Sequence, residues 1–196
     1  MPSGERRGGS ALSVKICLAG DMAVGKSSLL RRFVTNTFDD KYVSTLGAKV
    51  GSRKFSIPDP RHPGQVVEVG ASIWDLMGNA GFREVLKEAY FHGAKGVMLV
   101  CDGTRPETFR NLPSWIKAVQ TVAGNVPAIV LMNKSDLAGA IKVTREAIEA
   151  FCEPRGCRWL PTSAKTGENV AEAFDLMASV YLESLKAADT EVTANP

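Results

Sequence analysis

Gly20-Asp21-Met22-Ala23-Val24-Gly25-Lys26-Ser27 is the stretch whose reading decides the fold. It fits the spacing GxxxxGK[ST] without a gap. The two glycines let the backbone turn so that successive N–H groups face inward around phosphate oxygens. A helix starting near Lys26 adds the positive end of its dipole. Lys26 can reach the β- and γ-phosphates, and Ser27 can offer its hydroxyl to Mg²⁺. The flanks supply the context that this motif requires. Upstream, Val14, Ile16 and Leu18 alternate with Lys15 and Cys17, a strand entering a loop. Downstream, residues 27–34 read as a helix with Leu29, Leu30 and Phe33 on one face and Arg31 and Arg32 on the other.

Further along, Val50 to Ile57 and Val66 to Trp74 read as two strands. The turn formers from Pro58 to Gly64 make them a hairpin with a rigid loop. Gly96 to Cys101 and Val126 to Met132 carry continuous apolar runs, suited to strands buried on both faces of a parallel sheet. Helical patterns alternate with them at Phe82–Phe91, Glu107–Val122, Thr144–Phe151 and Glu168–Leu185, and a short strand lies at Arg158–Leu160. In the last helix Val170, Phe174, Met177, Tyr181 and Leu185 form a stripe for packing on the sheet. This alternation predicts an α/β doubly wound sheet with helices on both faces and one antiparallel edge hairpin.

A triphosphate loop alone does not choose the base. Asn133-Lys134-Ser135-Asp136 directly follows the apolar run ending at Met132, so it sits at the carboxyl end of a strand, where open α/β sheets bind ligands. A carboxylate there can accept from guanine's ring N–H and exocyclic amine together. Adenine lacks that donor pair, and leaving buried polar groups unpaired is costly. Thr162-Ser163-Ala164-Lys165 follows the short strand. From it the Ala164 N–H can donate to guanine O6 while Lys165 covers the base.

These segments resemble the Ras superfamily of small GTPases, and within it the Rab-like branch, from about Val14 to Leu185. The likeness is carried by Gly20–Ser27, Tyr42-Val43-Ser44-Thr45-Leu46-Gly47, Trp74-Asp75 with Gly78, Asn133–Asp136 and Ser163-Ala164-Lys165. It implies a P-loop NTPase (G-domain) fold: a six-stranded, mostly parallel sheet with one antiparallel edge strand. It also implies a switch that binds GTP or GDP with Mg²⁺ and hydrolyses GTP. By this resemblance the nucleotide is held by residues 20–27, Ser28, Phe38, Thr45, Gly78, Asn133, Lys134, Asp136 and Ser163–Lys165. Phe38 is expected edge-on to the base. Mg²⁺ falls to Ser27, Thr45 and Asp75, the last through water. Lys26, Thr45, Gly78 and residue 79 surround the reaction. The switch segments Phe38–Gly47 and Asp75–Phe91 become surfaces for effectors and regulators.

The chain departs from the family where the chemistry happens. Switch II usually reads Asp-Thr-Ala-Gly-Gln-Glu; here it is Asp75-Leu76-Met77-Gly78-Asn79-Ala80. Asn79 keeps the amide of the water-orienting glutamine but reaches about 1.5 Å less, and errors of that order cost roughly 100-fold in rate. Met22 stands where a glycine or small residue is usual. Both predict slow hydrolysis. A non-cycling pseudo-GTPase serving as an interaction module is the alternative. A kinase or ATPase is disfavoured by Asn133 and Asp136. The segment between Thr45 and Asp75 also looks longer than usual, with the excess around Arg61-His62-Pro63. His62 is expected in solvent, and His92 at a helix end.

Composition bounds the rest. With 196 residues the chain suits one domain, divided here as an arm at 1–12, the domain at 13–186 and a tail at 187–196. A net charge of +3, with the local excess at Glu5-Arg6-Arg7, reads as ordinary surface charge, and no nucleic-acid partner is expected. Cys17, Cys101, Cys152 and Cys157 form no CxxC pair and have no histidine cluster, which argues against zinc. Cys152 and Cys157 are close enough in sequence for a disulfide, though reduced thiols are expected without a secretion signal. Pro2 stands where myristoylation needs glycine and the last residues read here hold no cysteine, so no lipid anchor is expected on this chain. A cytoplasmic monomer is expected.

Overall fold

The computed structural model describes residues 11–39, 45 and 47–193. Residues 1–10, and Tyr42, Val43, Ser44 and Leu46 of the switch segment, lie outside the described residues. The elements in chain order are β1 (Ala11–Ala19), α1 (Lys26–Thr35), β2 (Ala48–Pro58), β3 (Val66–Leu76), α2 (Ala80–Phe91), β4 (Gly96–Asp102), α3 (Pro106–Arg110), α4 (Leu112–Ala123), β5 (Ala128–Asn133), α5 (Arg145–Cys152), β6 (Arg158–Thr162) and α6 (Val170–Thr193). Six strands form one sheet in the order β2-β3-β1-β4-β5-β6. All neighbours are parallel except β2 and β3, which pair antiparallel from Ala48–Leu76 to Pro58–Val66.

Period-two geometry explains the apolar runs. Met98 and Val100 of β4 join Val14, Ile16 and Leu18 of β1 in one core with Leu29 and Phe33 of α1 and Phe174 and Met177 of α6. Val97, Leu99 and Cys101 face the other way, with Cys17, Trp115 and Val119 of α4, and Ile148 of α5. Each inner strand therefore feeds two cores, and a polar residue on either face would be buried.

β1 lies between β3 and β4, so the chain crosses to one side of it and then to the other. Such a switch point opens a crevice at the carboxyl ends of the strands. The loops after β1, β4, β5 and β6 all emerge there.

Several expected boundaries move. The helix read at Glu107–Val122 is two helices, broken at Asn111-Leu112-Pro113. Pro113 has no N–H for the carbonyl four residues earlier, so the first helix stops and a second begins with proline in its first turn. The last helix starts at Val170, after a left-handed Asn169 whose amide donates to Pro161 O at 2.8 Å. It continues to Thr193 through most of the segment read as a tail, and β1 begins at Ala11, inside the segment read as an arm.

The β2–β3 loop is tied by Asp59. Its carboxylate accepts from Arg61 N at 2.9 Å, Arg61 Nε and Nη2 at 3.0 Å, and pairs with His62 Nδ1 at 3.2 Å. The Arg61 guanidinium holds the Asp59 carboxyl well below the usual carboxylate range. His62 is exposed, as expected, while also partnering Asp59.

Phe174 is fully buried and stacks on Phe33 with ring centroids 3.8 Å apart, joining α6 to α1. Phe174→Ala is expected to cost about 3–5 kcal/mol, seen as a lower urea midpoint. A loss within error of zero would mean that this contact does not hold the layer.

Candidate functional site

A cleft of about 320 Å³ lies at the carboxyl ends of the strands. One end is the loop 20–25. Gly25 caps α1 with φ 101°, and a Cβ there would fall 2.1 Å from Asn133 Nδ2. Only glycine lets this loop turn into the helix while touching the opposite strand end. Gly78 is equally constrained: a Cβ on it would lie 2.4 Å from Met22 N. Its backbone therefore rests directly on the phosphate loop.

Lys26 is buried, and its ammonium donates to Gly20 O at 2.8 Å and Asp21 O at 2.7 Å. Burial pulls it down to about 8 from 10.5, against the charges of Asp75 and Asp21. Beside it, three oxygen-bearing side chains converge. Ser27 Oγ lies 2.9 Å from Thr45 Oγ1 and donates to Asp75 Oδ2, which also accepts from Thr45 Oγ1 at 3.5 Å. Asp75 is fully buried, and its Oδ1 has no hydrogen-bond partner. Burial holds its carboxyl above the usual range, against the Ser27 hydrogen bond and the Lys26 charge. A buried carboxylate with an unpaired oxygen next to two hydroxyls fits Mg²⁺, which takes few protein ligands and shares its shell with water and phosphate. Among the described residues, no group of three or more His, Cys, Asp or Glu offers another metal cage.

The other end of the cleft is built on Asn133. Its Nδ2 donates to Val24 O at 2.8 Å. Its Oδ1 accepts from Ala164 N at 3.2 Å and Thr162 Oγ1 at 3.3 Å. The Ala164 N–H, expected to face a base oxygen, is thus directed at Asn133. Asp136 Oδ1 accepts from Ser163 Oγ at 2.6 Å, which leaves its Oδ2 for a further donor. Lys134 adopts a left-handed φ of 68° and pairs with Asp102 Oδ2 at 2.6 Å. Met22, Ala23, Ser28, Phe38 and Lys165 line the same cleft, whereas Val24 is buried beneath it.

Several contributors had weak sequence signals. Asp102, at the end of β4, is buried and accepts from Thr104, Arg105 and Lys134. Burial alone would raise its carboxyl, but Lys134, Thr104 and Arg105 bring it down to about 2. Arg105 also donates to Met22 O at 3.0 Å, linking the phosphate loop to the base side. Asp21 accepts from Trp115 Nε1 at 2.8 Å and Asn111 Nδ2 at 2.7 Å. Arg32 donates to Ala164 O at 2.9 Å and Lys165 O at 2.6 Å. A carboxylate ending an apolar run marked Asp102; nothing local marked Arg32 or Arg105. Asn79, in contrast, is exposed, and its Oδ1 accepts from Gly81 N at 2.8 Å at the start of α2.

The doubly wound sheet and this cleft define a P-loop nucleotide-binding domain of the G-domain class. The Ras family model matches residues 15–183. The chain is 34% identical over 183 residues to the GTP-binding protein YPTM2 of Zea mays, covering 93% of this chain and 86% of that protein. It is 36% identical over 180 residues to the Ras-related protein YPTC6 of Chlamydomonas reinhardtii, covering 90% and 80%. Against the Ras-related protein RABA4b of Arabidopsis thaliana it is 38% identical over 169 residues, covering 85% and 72%. The chain belongs to the Ras family and is a Rab-like small GTPase.

The Lys26 environment gives a testable pH dependence. Because its folded pKa of about 8 lies below the ordinary 10.5, the unfolded chain binds that proton more tightly between those values. Folding therefore gains stability as pH rises through that window. Nucleotide-free wild type is expected to gain on Lys26→Met between about pH 8 and 10, read by urea unfolding at both pH values. A constant difference between the two proteins would contradict the assignment.

Proposed function

We propose that this protein is a GTP/GDP switch with Mg²⁺ held by Ser27, Thr45 and Asp75, and that it hydrolyses GTP slowly. The observation that carries the reading is the Ser27–Thr45–Asp75 oxygen cluster at one end of a single cleft whose other end presents Asp136.

In this reading the N–H groups of residues 20–27 and the Lys26 ammonium hold the phosphates. Breaking the ammonium's bonds to Gly20 O and Asp21 O is offset by phosphate charge. Ser27, Thr45 and Asp75 would hold the cation, which would supply neutralisation of phosphate charge. Thr45 and Gly78 touch the site from two loops, so loss of the third phosphate removes what holds both loops in place. Asp136 accepts from guanine's paired donors, Ala164 N–H turns toward the base oxygen, and Lys165 and Phe38 flank the ring. Segments 38–47 and 75–91 then serve as docking surfaces for effectors and regulators, with the protein acting in the cytoplasm as a monomer.

Slow hydrolysis rests on Asn79. Its side chain is short for orienting the attacking water, and its carbonyl oxygen is engaged by Gly81 N–H. Orienting water requires releasing that helix-end bond. The exposed Met22 side chain lines the cleft and crowds the approach of an arginine from a partner. The Asn79 bond equally favours a nucleotide-bound module that does not cycle. Multiple-turnover phosphate release separates the two: sustained release supports the switch.

Single-turnover hydrolysis by Asn79→Gln is expected to exceed wild type by about 10- to 100-fold, with a smaller gain from Met22→Gly. If neither variant is faster, the slow-hydrolysis reading fails. Asp136→Asn is expected to weaken GDP binding by 100-fold or more, roughly the cost of losing a matched buried hydrogen-bond pair; equilibrium titration with fluorescent GDP reads it, and unchanged affinity would remove Asp136 from the base site.

A further inference from the structure

Far from the nucleotide cleft, helix α5 runs into the 3₁₀ turn Glu153–Arg155 and stops at Gly156, whose φ of 60° is left-handed. Two backbone bonds close this end. Gly156 N–H donates to Glu153 O at 3.2 Å, and Cys157 N–H donates to Cys152 O at 3.2 Å. These are the paired 5→2 and 6→1 bonds of a Schellman cap, which sets the side chain of its first residue against that of its sixth. Both positions are cysteine. Cys157 Sγ donates to Cys152 O at 3.7 Å, and each thiol shifts the ionisation of the other.

Their access differs. Cys152 is buried, whereas Cys157 is half-buried on the wall of a cleft of about 570 Å³ with Gln120, Pro127, Arg155 and Val180. Pro127 precedes β5 and Cys157 precedes β6, so this cleft opens at the amino ends of the strands, opposite the nucleotide site. The neighbouring Cys152 side chain and the charge of Arg155 hold the Cys157 thiol below its ordinary range. Cys17 and Cys101 are fully buried, and burial pushes both up to about 12. Accessible thiolate character selects which cysteine oxidises.

We propose that Cys152 and Cys157 form a peroxide-responsive modification site that closes reversibly into an intramolecular disulfide. The Cys157 thiolate attacks one peroxide oxygen. The O–O bond breaks, hydroxide leaves and takes up the proton lost by the thiol, and Cys157 becomes a sulfenic acid. The Cys152 sulfur then attacks the Cys157 sulfur. The S–O bond breaks, and the oxygen departs as water with the Cys152 proton. Two thiols are oxidised by two electrons, and hydrogen peroxide is reduced to two waters. The cap sets the two cysteine side chains against each other, so closure needs no unfolding of α5 or β6.

The test uses the full chain with its nucleotide bound. It is treated with hydrogen peroxide, alkylated, and digested with trypsin without reductant. Trypsin cuts after Arg155, between the two cysteines. The proposal expects peptides 146–155 and 156–158 to stay joined, about 2 Da lighter than their sum, and to separate after dithiothreitol. Cys17 and Cys101 should be alkylated only after denaturation. In Cys152→Ser, Cys157 should persist as a sulfenic acid captured by dimedone. Separate peptides in peroxide-treated wild type, or joined peptides involving Cys17 or Cys101, would overturn the proposal. The wild-type readout stands whether or not Cys152→Ser folds.

Discussion

One amide side chain holds the candidate site together. Asn133 is buried at the end of β5; it donates to the carbonyl of Val24 in the phosphate loop and accepts from the backbone of Ala164 in the base loop. Its backbone carbonyl accepts from Gly103 N at 2.9 Å, after β4. Three loops from three strands are thus referenced to a single residue. Both ends of that amide are matched donor to acceptor, so an aspartate or leucine of similar size would leave a buried backbone group unpaired. Gly25 completes the arrangement, because only the absence of a Cβ lets the phosphate loop approach the Asn133 amide.

Charge does the complementary work. Lys26 and Asp75 are both buried in the nucleotide cleft, each shifted by burial toward its neutral form. Such a pair is expensive in isolation, and in the proposed reading anionic phosphates with a cation would relieve both sides at once. On the base side, Asp102 collects Lys134 and Arg105, and Arg105 reaches back to Met22 O. The two halves of the cleft are therefore coupled by hydrogen bonds above the sheet as well as by the sheet itself.

Much of this was legible in the sequence because it is local. The motif from Gly20 to Ser27 carries its own spacing, and the runs Val97–Val100 and Ala128–Leu131 can only be strands or buried helices. The turn formers from Pro58 to Gly64 mark the hairpin. What escaped is set by distance along the chain. Trp115 meets Asp21 across 94 positions, Arg105 meets Met22 across 83 and Arg32 meets Ala164 across 132, and no periodicity encodes such pairings. The break at Pro113 had a signal, the missing N–H, that the strong helical pattern around it masked. The apolar stripe understates the length of α6, because its last turns, from Lys186 onward, lose the pattern that marks a packed helix.

The central claim is that this cleft selects guanine nucleotides. Competition of unlabelled GTP and ATP against bound fluorescent GDP, in the presence of Mg²⁺, tests it most directly. GTP should displace the label, and ATP should fail to do so even at about 1,000-fold higher concentration. Equal displacement by ATP, or no binding of labelled GDP at all, would contradict the account.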